Sequence, residues 1–112
     1  MKFIILILCT LAASVSASWL IIFDSVHWRG DQYTFEFKPP SLNTCLSLNL
    51  PKRWENRTSS AGWSGDFSGR IYFSTADKRH KFWPALTKDY PRNFNSDGID
   101  NQVTEIHVCR FD

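Results

Sequence analysis

The sequence predicts an all-β domain, built from short strands as a sandwich or a barrel. Apolar and polar residues alternate over short runs, turn-forming residues separate these runs, and no stretch keeps the 3.6-residue period of a helix. Short strands with turn signals at roughly regular spacing are typical of both architectures. Aromatic residues make up 15% of the chain, and most of them are expected in the core.

The strand candidates follow from local patterns along the chain. Residues 19–23 are a short apolar run and predict a buried strand. Tyr33, Phe35 and Phe37 alternate with polar residues, so they are expected to share one face of the next strand. The other predicted segments are strands at residues 45–48, 70–74 and 103–111, an edge piece at 82–84, a strand end and loop at 60–68, and a long polar loop at 88–98.

The N-terminus has the charged, apolar and small-residue order of a secretory signal peptide. Lys2 precedes an apolar run, and Val15 and Ala17 occupy the small-residue positions before a cleavage site. The apolar run is too short to span a membrane. Residues 1–17 are therefore predicted to be removed, leaving residues 18–112 as one secreted, extracellular domain.

The charge balance argues against two classes of partner. The formal net charge is +2 at pH 7, which gives no clear basic surface for a nucleic acid or for electrostatic membrane binding. No second apolar stretch is long enough to insert into a bilayer. The expected state is a monomer.

Two cysteines remain once the signal peptide is removed, because Cys9 lies within it. Cys45 and Cys109 form an even pair in an oxidising compartment, so one disulfide is predicted, with two free thiols as the alternative. Asn56-Arg57-Thr58 is the only N-glycosylation sequon and predicts an exposed loop at Asn56.

A six-residue pattern occurs twice. Residues 55–60 (hexad 1, Glu-Asn-Arg-Thr-Ser-Ser) and residues 100–105 (hexad 2, Asp-Asn-Gln-Val-Thr-Glu) both approximate Asn/Asp-Asn/Asp-x-x-Ser/Thr-Ser. Amide, carboxylate and hydroxyl oxygens spaced this closely suit a hard cation such as Ca²⁺. Two copies also indicate a duplicated half-domain. The alternative is that both hexads are turns whose polar side chains cap backbone groups.

The segment Leu-Ile-Ile-Phe-Asp-Ser-Val-His-Trp-Arg-Gly at residues 20–30, followed by Phe35, resembles the first-key signature of the βγ-crystallin family. Every position fits except Trp28, where Phe or Tyr is usual. In that family the segment forms a folded hairpin. The aromatic residue packs over the turn, and the glycine, here Gly30, adopts a conformation that a Cβ would forbid.

The resemblance extends over nearly all of residues 18–112 and implies two Greek-key motifs that form a βγ-crystallin-like β-sandwich. The second key is degenerate, because Lys78 and His80 stand where Trp28 and Gly30 stood, so its hairpin is expected to turn differently. Both hexads fall where the family places its calcium motifs, just before the fourth strand of each key. The pattern around Cys45, followed by that from Trp54 to Trp63, is similar to small secreted fungal proteins of the crystallin type, which often carry one such disulfide.

In calcium-binding members of this family the two hexads cross over to form two sites. The resemblance implies hydroxyl ligands from Ser59 and Thr104. The remaining implied ligands are the side-chain oxygens of Asn56, Asp100 and Asn101 and the backbone carbonyls of Arg57 and Gln102. Glu55 and Glu105 depart from the pattern, and few ligands are charged, so the expected Kd is on the order of 10⁻⁴ to 10⁻³ M. Glycosylation of Asn56 would compete with its use as a ligand.

These features predict a non-enzymatic, secreted module in which weak Ca²⁺ binding stabilises the fold. Its expected role is extracellular interaction, with an effector or toxin-like activity among those the resemblance implies. One alternative is a protease inhibitor or another protein-binding or glycan-binding protein that uses Trp54, Trp63 or Trp83 as an exposed patch.

A small secreted ribonuclease is the third possibility. Glu36, His107 and Arg110 supply the residue types needed for an acid, a base and a phosphate clamp. No local motif surrounds these residues, so their spacing gives no reason to place them together.

Overall fold

The computed structural model describes residues 18–64 and 67–111, which form seven strands in two antiparallel sheets. The strands are β1 (Ser18–Ser25), β2 (Arg29–Phe37), β3 (Thr44–Leu48), β4 (Ser60–Trp63), β5 (Gly69–Thr75), β6 (His80–Pro84) and β7 (Val103–Arg110), with a 3₁₀ turn at Lys52–Trp54. The all-β prediction is confirmed in the form of a sandwich. The predicted signal peptide at residues 1–17 lies outside the described residues.

One early strand, β3, lies in the sheet that is otherwise formed by the later strands. Sheet A has the order β2-β1-β4, and sheet B has the order β3-β7-β5-β6. Strand β3 lies between β2 and β4 in sequence, yet it pairs with β7 in sheet B. The first half of the chain (β1 to β4) is therefore attached through β3 to β7, the last strand of the second half (β5 to β7).

Strand β1 is correctly predicted as a strand, but its outer face is open to solvent. Leu20 and Ile22 are fully buried, whereas Trp19, which directly precedes Leu20, is 43% exposed. Alternation of this kind is typical of a sheet covered on one face only. The prediction of a buried strand therefore holds fully for one face only, because Ile21 and Phe23 on the other face are half-buried. On β2 the predicted shared face is present, since Phe35 and Phe37 are buried.

A bulge alters the predicted faces of β7. The register with β5 pairs Ser74 with Glu105 but Thr75 with Val103, so Thr104 is an extra residue on β7. Val103 is consequently fully buried, together with Ile106 two pairs further along the strand. Strict alternation along residues 103–111 would place these two residues on opposite faces.

Aromatic side chains form the core between the sheets. Phe73 lies at its centre, with ring centroids 6.1 Å from Trp63, 5.6 Å from Trp83 and 5.0 Å from Phe94. Trp54 and Trp63 are only 2% and 1% exposed. Two of the three tryptophans considered for a surface patch are therefore core residues, and only Trp83 reaches solvent to a larger extent.

The predicted disulfide between Cys45 and Cys109 is present. The two residues are directly opposite each other on β3 and β7. The bond fixes the exchanged strand β3 to sheet B.

The long segment between β6 and β7 has no strand, as predicted for residues 88–98, but it is attached to sheet A. The backbone N–H of Ala61 donates to the carbonyl of Pro91 (3.0 Å), and the N–H of Phe94 donates to the carbonyl of Ser59 (2.9 Å). This segment therefore lies along the free edge of β4 and leads into hexad 2.

Candidate functional site between the two hexads

The two hexads contact each other through a reciprocal pair of backbone hydrogen bonds. The N–H of Asn56 donates to the carbonyl of Val103 (3.0 Å), and the N–H of Asn101 donates to the carbonyl of Thr58 (3.1 Å). In each case the second residue of one hexad bonds to the fourth residue of the other. Approximate two-fold symmetry therefore relates the hexads, as the repeated sequence pattern suggests.

Both asparagines at the second position have left-handed backbone conformations. The φ angle is 61° at Asn56 and 55° at Asn101. Asparagine tolerates this region better than most residues because its short polar side chain can bond locally. The turn directs the carbonyl groups of each hexad towards its partner. Asn56 is also exposed, as a glycosylated residue would have to be.

Three of the predicted ligands lie together on one side of the symmetry axis. The hydroxyl of Ser59 donates to Oδ1 of Asn101 (3.3 Å), and Nδ2 of Asn101 donates to Oδ2 of Asp100 (3.3 Å). The other carboxylate oxygen of Asp100, Oδ1, is buried and has no hydrogen-bond partner among the described residues, and the same holds for the hydroxyl of Thr58. Buried oxygen atoms without partners are rare in folded proteins.

The other side of the axis is arranged differently. Thr104 is the extra residue of the β7 bulge, and no hydrogen bond among the described residues joins its hydroxyl to hexad 1. The guanidinium group of Arg57 turns away and binds Asp24 (3.1 Å) and Asp31 (3.0 Å). It also lies over the ring of Trp54, 4.5 Å from the centroid. The two predicted sites are therefore not equivalent.

A second arginine, which sequence reasoning missed, connects the hairpin between β5 and β6 to hexad 2. Nε of Arg79 donates to both carboxylate oxygens of Asp77 (3.1 and 3.0 Å), and its Nη1 donates to the carbonyl of Gly98 (2.7 Å). Its Nη2 donates to Oε1 of Gln102. The pKa of Asp77 is held below its ordinary value, first by the hydroxyl of Thr75 and then by Arg79.

Each half of the molecule thus has a guanidinium group between a hairpin and its hexad. In the first half Arg57 extends from the hexad to the hairpin; in the second Arg79 extends from the hairpin to the hexad. A guanidinium group offers several donors in a fixed plane, which suits clusters of carboxylate and carbonyl oxygens. Both hairpins are therefore cross-linked to the hexads by side chains of the protein itself.

The hairpin between β1 and β2 turns through a glycine in the left-handed conformation. Gly30 has φ 82°, and Oδ1 of Asp24 accepts the N–H of Asp31 (2.9 Å). The hydroxyl of Ser60, the last residue of hexad 1, accepts the N–H of Trp28 (3.0 Å) and donates to the carbonyl of Ser25 (2.7 Å).

The hairpin of the second half turns differently, as expected. Its left-handed residue is Lys78, with φ 69°, and His80 has instead entered strand β6. Nδ1 of His80 lies 2.6 Å from the hydroxyl of Ser74. Glu105, at the position of Ser60, points towards His107 at 3.8 Å. Hexad 2 therefore lacks the hydroxyl support that hexad 1 gives its hairpin.

Gly30→Ala is expected to destabilise the protein more than Gly98→Ala does. Both glycines have positive φ, 82° and 77°, so each substitution costs about 1–2 kcal/mol for the backbone conformation. A Cβ at Gly30 would in addition lie 2.1 Å from Oδ1 of Asp24, whereas one at Gly98 meets nothing within 4 Å. Urea unfolding of both variants measures the difference, and equal losses would show that the Asp24 contact contributes nothing.

The residues considered for a ribonuclease are not brought together. Glu36 is exposed on β2 in sheet A, whereas His107 and Arg110 lie on β7 in sheet B. The imidazole of His107 instead neighbours Glu105. No arrangement of acid, base and phosphate clamp results from these three residues.

The described residues contain no cluster of three or more His, Cys, Asp or Glu side chains suited to a metal ion. The hexad site differs in kind, because its oxygens belong mainly to amide, hydroxyl and carbonyl groups. Within residues 18–64 and 67–111 there is also no helix long and apolar enough to cross a membrane. Comparisons with protein-family models, curated proteins and solved structures found no match to this chain.

Proposed function

We propose that this chain is a secreted, non-enzymatic module of the βγ-crystallin type that binds one Ca²⁺ ion weakly between its two hexads. The observation that carries the proposal is the cluster of Ser59, Asp100 and Asn101, in which a buried carboxylate oxygen lacks a donor. In this proposal the bound ion stabilises a fold whose role is extracellular interaction.

The strand order supports a pair of Greek keys. In sheet B, β6, β5 and β7 come from the second half and β3 is added from the first. In sheet A, β2, β1 and β4 come from the first half, and residues 91–94 of the second half run beside β4. Each half therefore sends its third segment to the other sheet, which is the exchange expected of two interlocked keys.

The oxygen geometry fits a calcium ion. Ca²⁺ ligands lie at about 2.3–2.6 Å from the ion, so two ligands at right angles are roughly 3.4 Å apart. The hydroxyl oxygen of Ser59 and Oδ1 of Asn101 are 3.3 Å apart. Asp100 would supply the charge, and the backbone carbonyl of Gln102 is the further ligand implied on this side. Ion binding would also satisfy the buried Oδ1 of Asp100, whose lack of a partner costs free energy.

The arginine contacts support weak binding and a fold that does not depend on the ion. Arg57 and Arg79 already connect both hairpins to the hexads. A single carboxylate, that of Asp100, gives a Kd on the order of 10⁻⁴ to 10⁻³ M. Calcium at ten times Kd would then add about 1.4 kcal/mol to the free energy of unfolding.

Calcium titration of the disulfide-intact protein is expected to show one site by calorimetry and a raised Tm. Asp100→Asn and Ser59→Ala should each weaken calcium binding at least tenfold. The first removes the negative charge of the cluster, and the second removes a hydroxyl oxygen. Thr104→Ala is the matched control: it removes the equivalent hydroxyl from the other hexad and should leave the affinity unchanged.

Two outcomes would contradict this proposal. If calcium produces neither heat nor a change in Tm up to 10 mM, about ten times the weakest expected Kd, the hexads are structural turns. If Thr104→Ala weakens binding as strongly as Ser59→Ala, both crossed sites act together and the asymmetry proposed from the side-chain contacts is wrong.

A further inference from the structure

A cleft of about 190 Å³ lies beside the segment between β6 and β7, apart from the hexads. Trp83 forms one wall. The rest of the lining comes from the loop that follows β6 and is polar except for Tyr90 and Pro91: Asp89, Arg92, Asn93, Ser96 and Asp97. The cleft is smaller than the roughly 300–1,000 Å³ typical of pockets for drug-sized ligands. It therefore suits a small ligand, or the terminal group of a larger one, that is about the size of one ring.

The aromatic wall is held in place. The ring of Trp83 packs edge-on against Phe73, with centroids 5.6 Å apart, and is tilted by 38° against the ring of Phe94 at 5.7 Å. Phe73 and Phe94 are themselves fully buried. A half-buried tryptophan fixed in this way offers a rigid apolar surface to a ligand at small conformational cost.

The polar wall contains a carboxylate that lacks a donor. No hydrogen bond or ion pair among the described residues engages the carboxylate of Asp97, although it is partly buried. Burial raises the pKa of Asp97, and the charge of Lys81 opposes that shift only in part. Asp89, by contrast, is paired with Arg92 at 3.4 Å. The cleft thus presents one unengaged acceptor next to an ion pair.

The loop is fixed to the sandwich at several points. The N–H of His27 donates to the carbonyl of Arg92 (2.6 Å), beside the two backbone bonds that attach residues 91 and 94 to β4. Oδ1 of Asn93 accepts the N–H of Asn95 (3.0 Å). The side chains that line the cleft therefore stand on an ordered backbone, which lowers the entropy that a ligand must overcome.

We propose that this cleft binds a neutral pyranose, such as a hexose or an N-acetylhexosamine at the end of a glycan. The C–H face of a sugar ring packs on an aromatic side chain, and its hydroxyl groups donate to carboxylate and amide oxygens. Trp83, Asp97 and Asn93 all line the cleft and provide these groups. The negative charge of Asp97 disfavours acidic sugars.

This inference goes beyond the proposed calcium-binding function and does not depend on it. None of the hexad residues lines the cleft. Of the three tryptophans that the sequence offered for an interaction patch, the structure leaves only Trp83 at such a position. The test therefore compares binding in calcium and in EDTA, and sugar binding should be the same in both.

Asp97→Asn is the decisive variant, because it removes the charge while leaving the fold intact. Since the pKa of Asp97 is raised in the folded state, its charged form costs stability above that pKa, and this cost disappears as the pH falls towards 3.8. The variant should therefore be at least as stable as the parent at neutral pH. Glu36→Gln, an exposed carboxylate on β2, is the matched control.

The measurement is saturation-transfer NMR and calorimetry with the methyl glycosides of mannose, galactose and N-acetylglucosamine, and with N-acetylneuraminic acid. At least one neutral sugar should bind with millimolar or lower Kd. Asp97→Asn should weaken that binding at least tenfold, and Glu36→Gln should not change it. Absence of binding by all neutral sugars, equal affinity in Asp97→Asn, or preference for the acidic sugar would each overturn the proposal.

Discussion

Replacing Cys45 and Cys109 together by alanine is expected to lower the free energy of unfolding by about 4 kcal/mol. The bond joins residues 64 positions apart, so its loss frees a long loop in the unfolded chain. The free energy of unfolding of a small domain is about 5–15 kcal/mol, so this loss would remove a large share of it.

The position of the bond makes a second consequence testable. Strand β3 is at the edge of sheet B and pairs there only with β7. Without the bond, this ladder and the packing of Leu46 and Leu48 hold the exchanged strand in place. Relative to the parent protein, the cysteine variant should therefore show a larger increase in the hydrogen-exchange rate in β3 than in β1.

The control is the pair two positions along the same two strands, Ser47 and His107, replaced together by alanine. That variant removes a cross-strand contact without removing a covalent bond, so its loss should stay below about 1 kcal/mol. Urea unfolding of both double variants and the parent gives the comparison. A loss below about 1 kcal/mol for the cysteine variant would show that the unfolded chain is already compact in this region.

Phe73→Ala is expected to have a comparable effect, about 3–5 kcal/mol. Phe73 is fully buried between the sheets and touches the rings of Trp63, Trp83 and Phe94. Its removal would leave a cavity that three fixed aromatic rings cannot fill. Because Trp83 packs against the ring of Phe73, the variant should also no longer hold Trp83 in place at the cleft.

Phe82→Ala is the matched control on the adjacent strand. Phe82 is 48% exposed on the outer face of sheet B and lies beneath Arg70, 4.6 Å from the ring centroid. Its replacement should cost no more than about 1 kcal/mol. Thermal and urea unfolding of both variants provides the measurement. Equal losses would show that the core does not lie where the aromatic contacts place it.

Much of this architecture could be predicted from local patterns. Alternation identified β2, with its buried face at Phe35 and Phe37, and β3. The segments that became β5 and β6 were also predicted, as a strand at residues 70–74 and an edge piece at 82–84. Cysteine parity predicted the bond between Cys45 and Cys109, because the alternatives were few. The repeated hexads indicated a duplicated half-domain, and the reciprocal backbone bonds of Asn56 and Asn101 join the two copies.

Other features depend on contacts between distant parts of the chain. The bulge at Thr104 arises from pairing with β5, so no pattern within β7 could show that Val103 is buried. Trp54 and Trp63 looked available for a surface patch because a sequence gives their size and not their depth.

The sequence by itself determined the fold class, the disulfide and the residue types of the candidate sites, because alternation, cysteine number and repeated motifs are local or countable properties. The tertiary structure alone decided which of the candidate ligand residues lie together. It placed Ser59 beside Asn101 but left Thr104 apart, and it directed Arg79 to Gln102. It also set Trp83 and Asp97 around one cleft. Such meetings depend on strand register and loop path, which the packing of the whole chain sets.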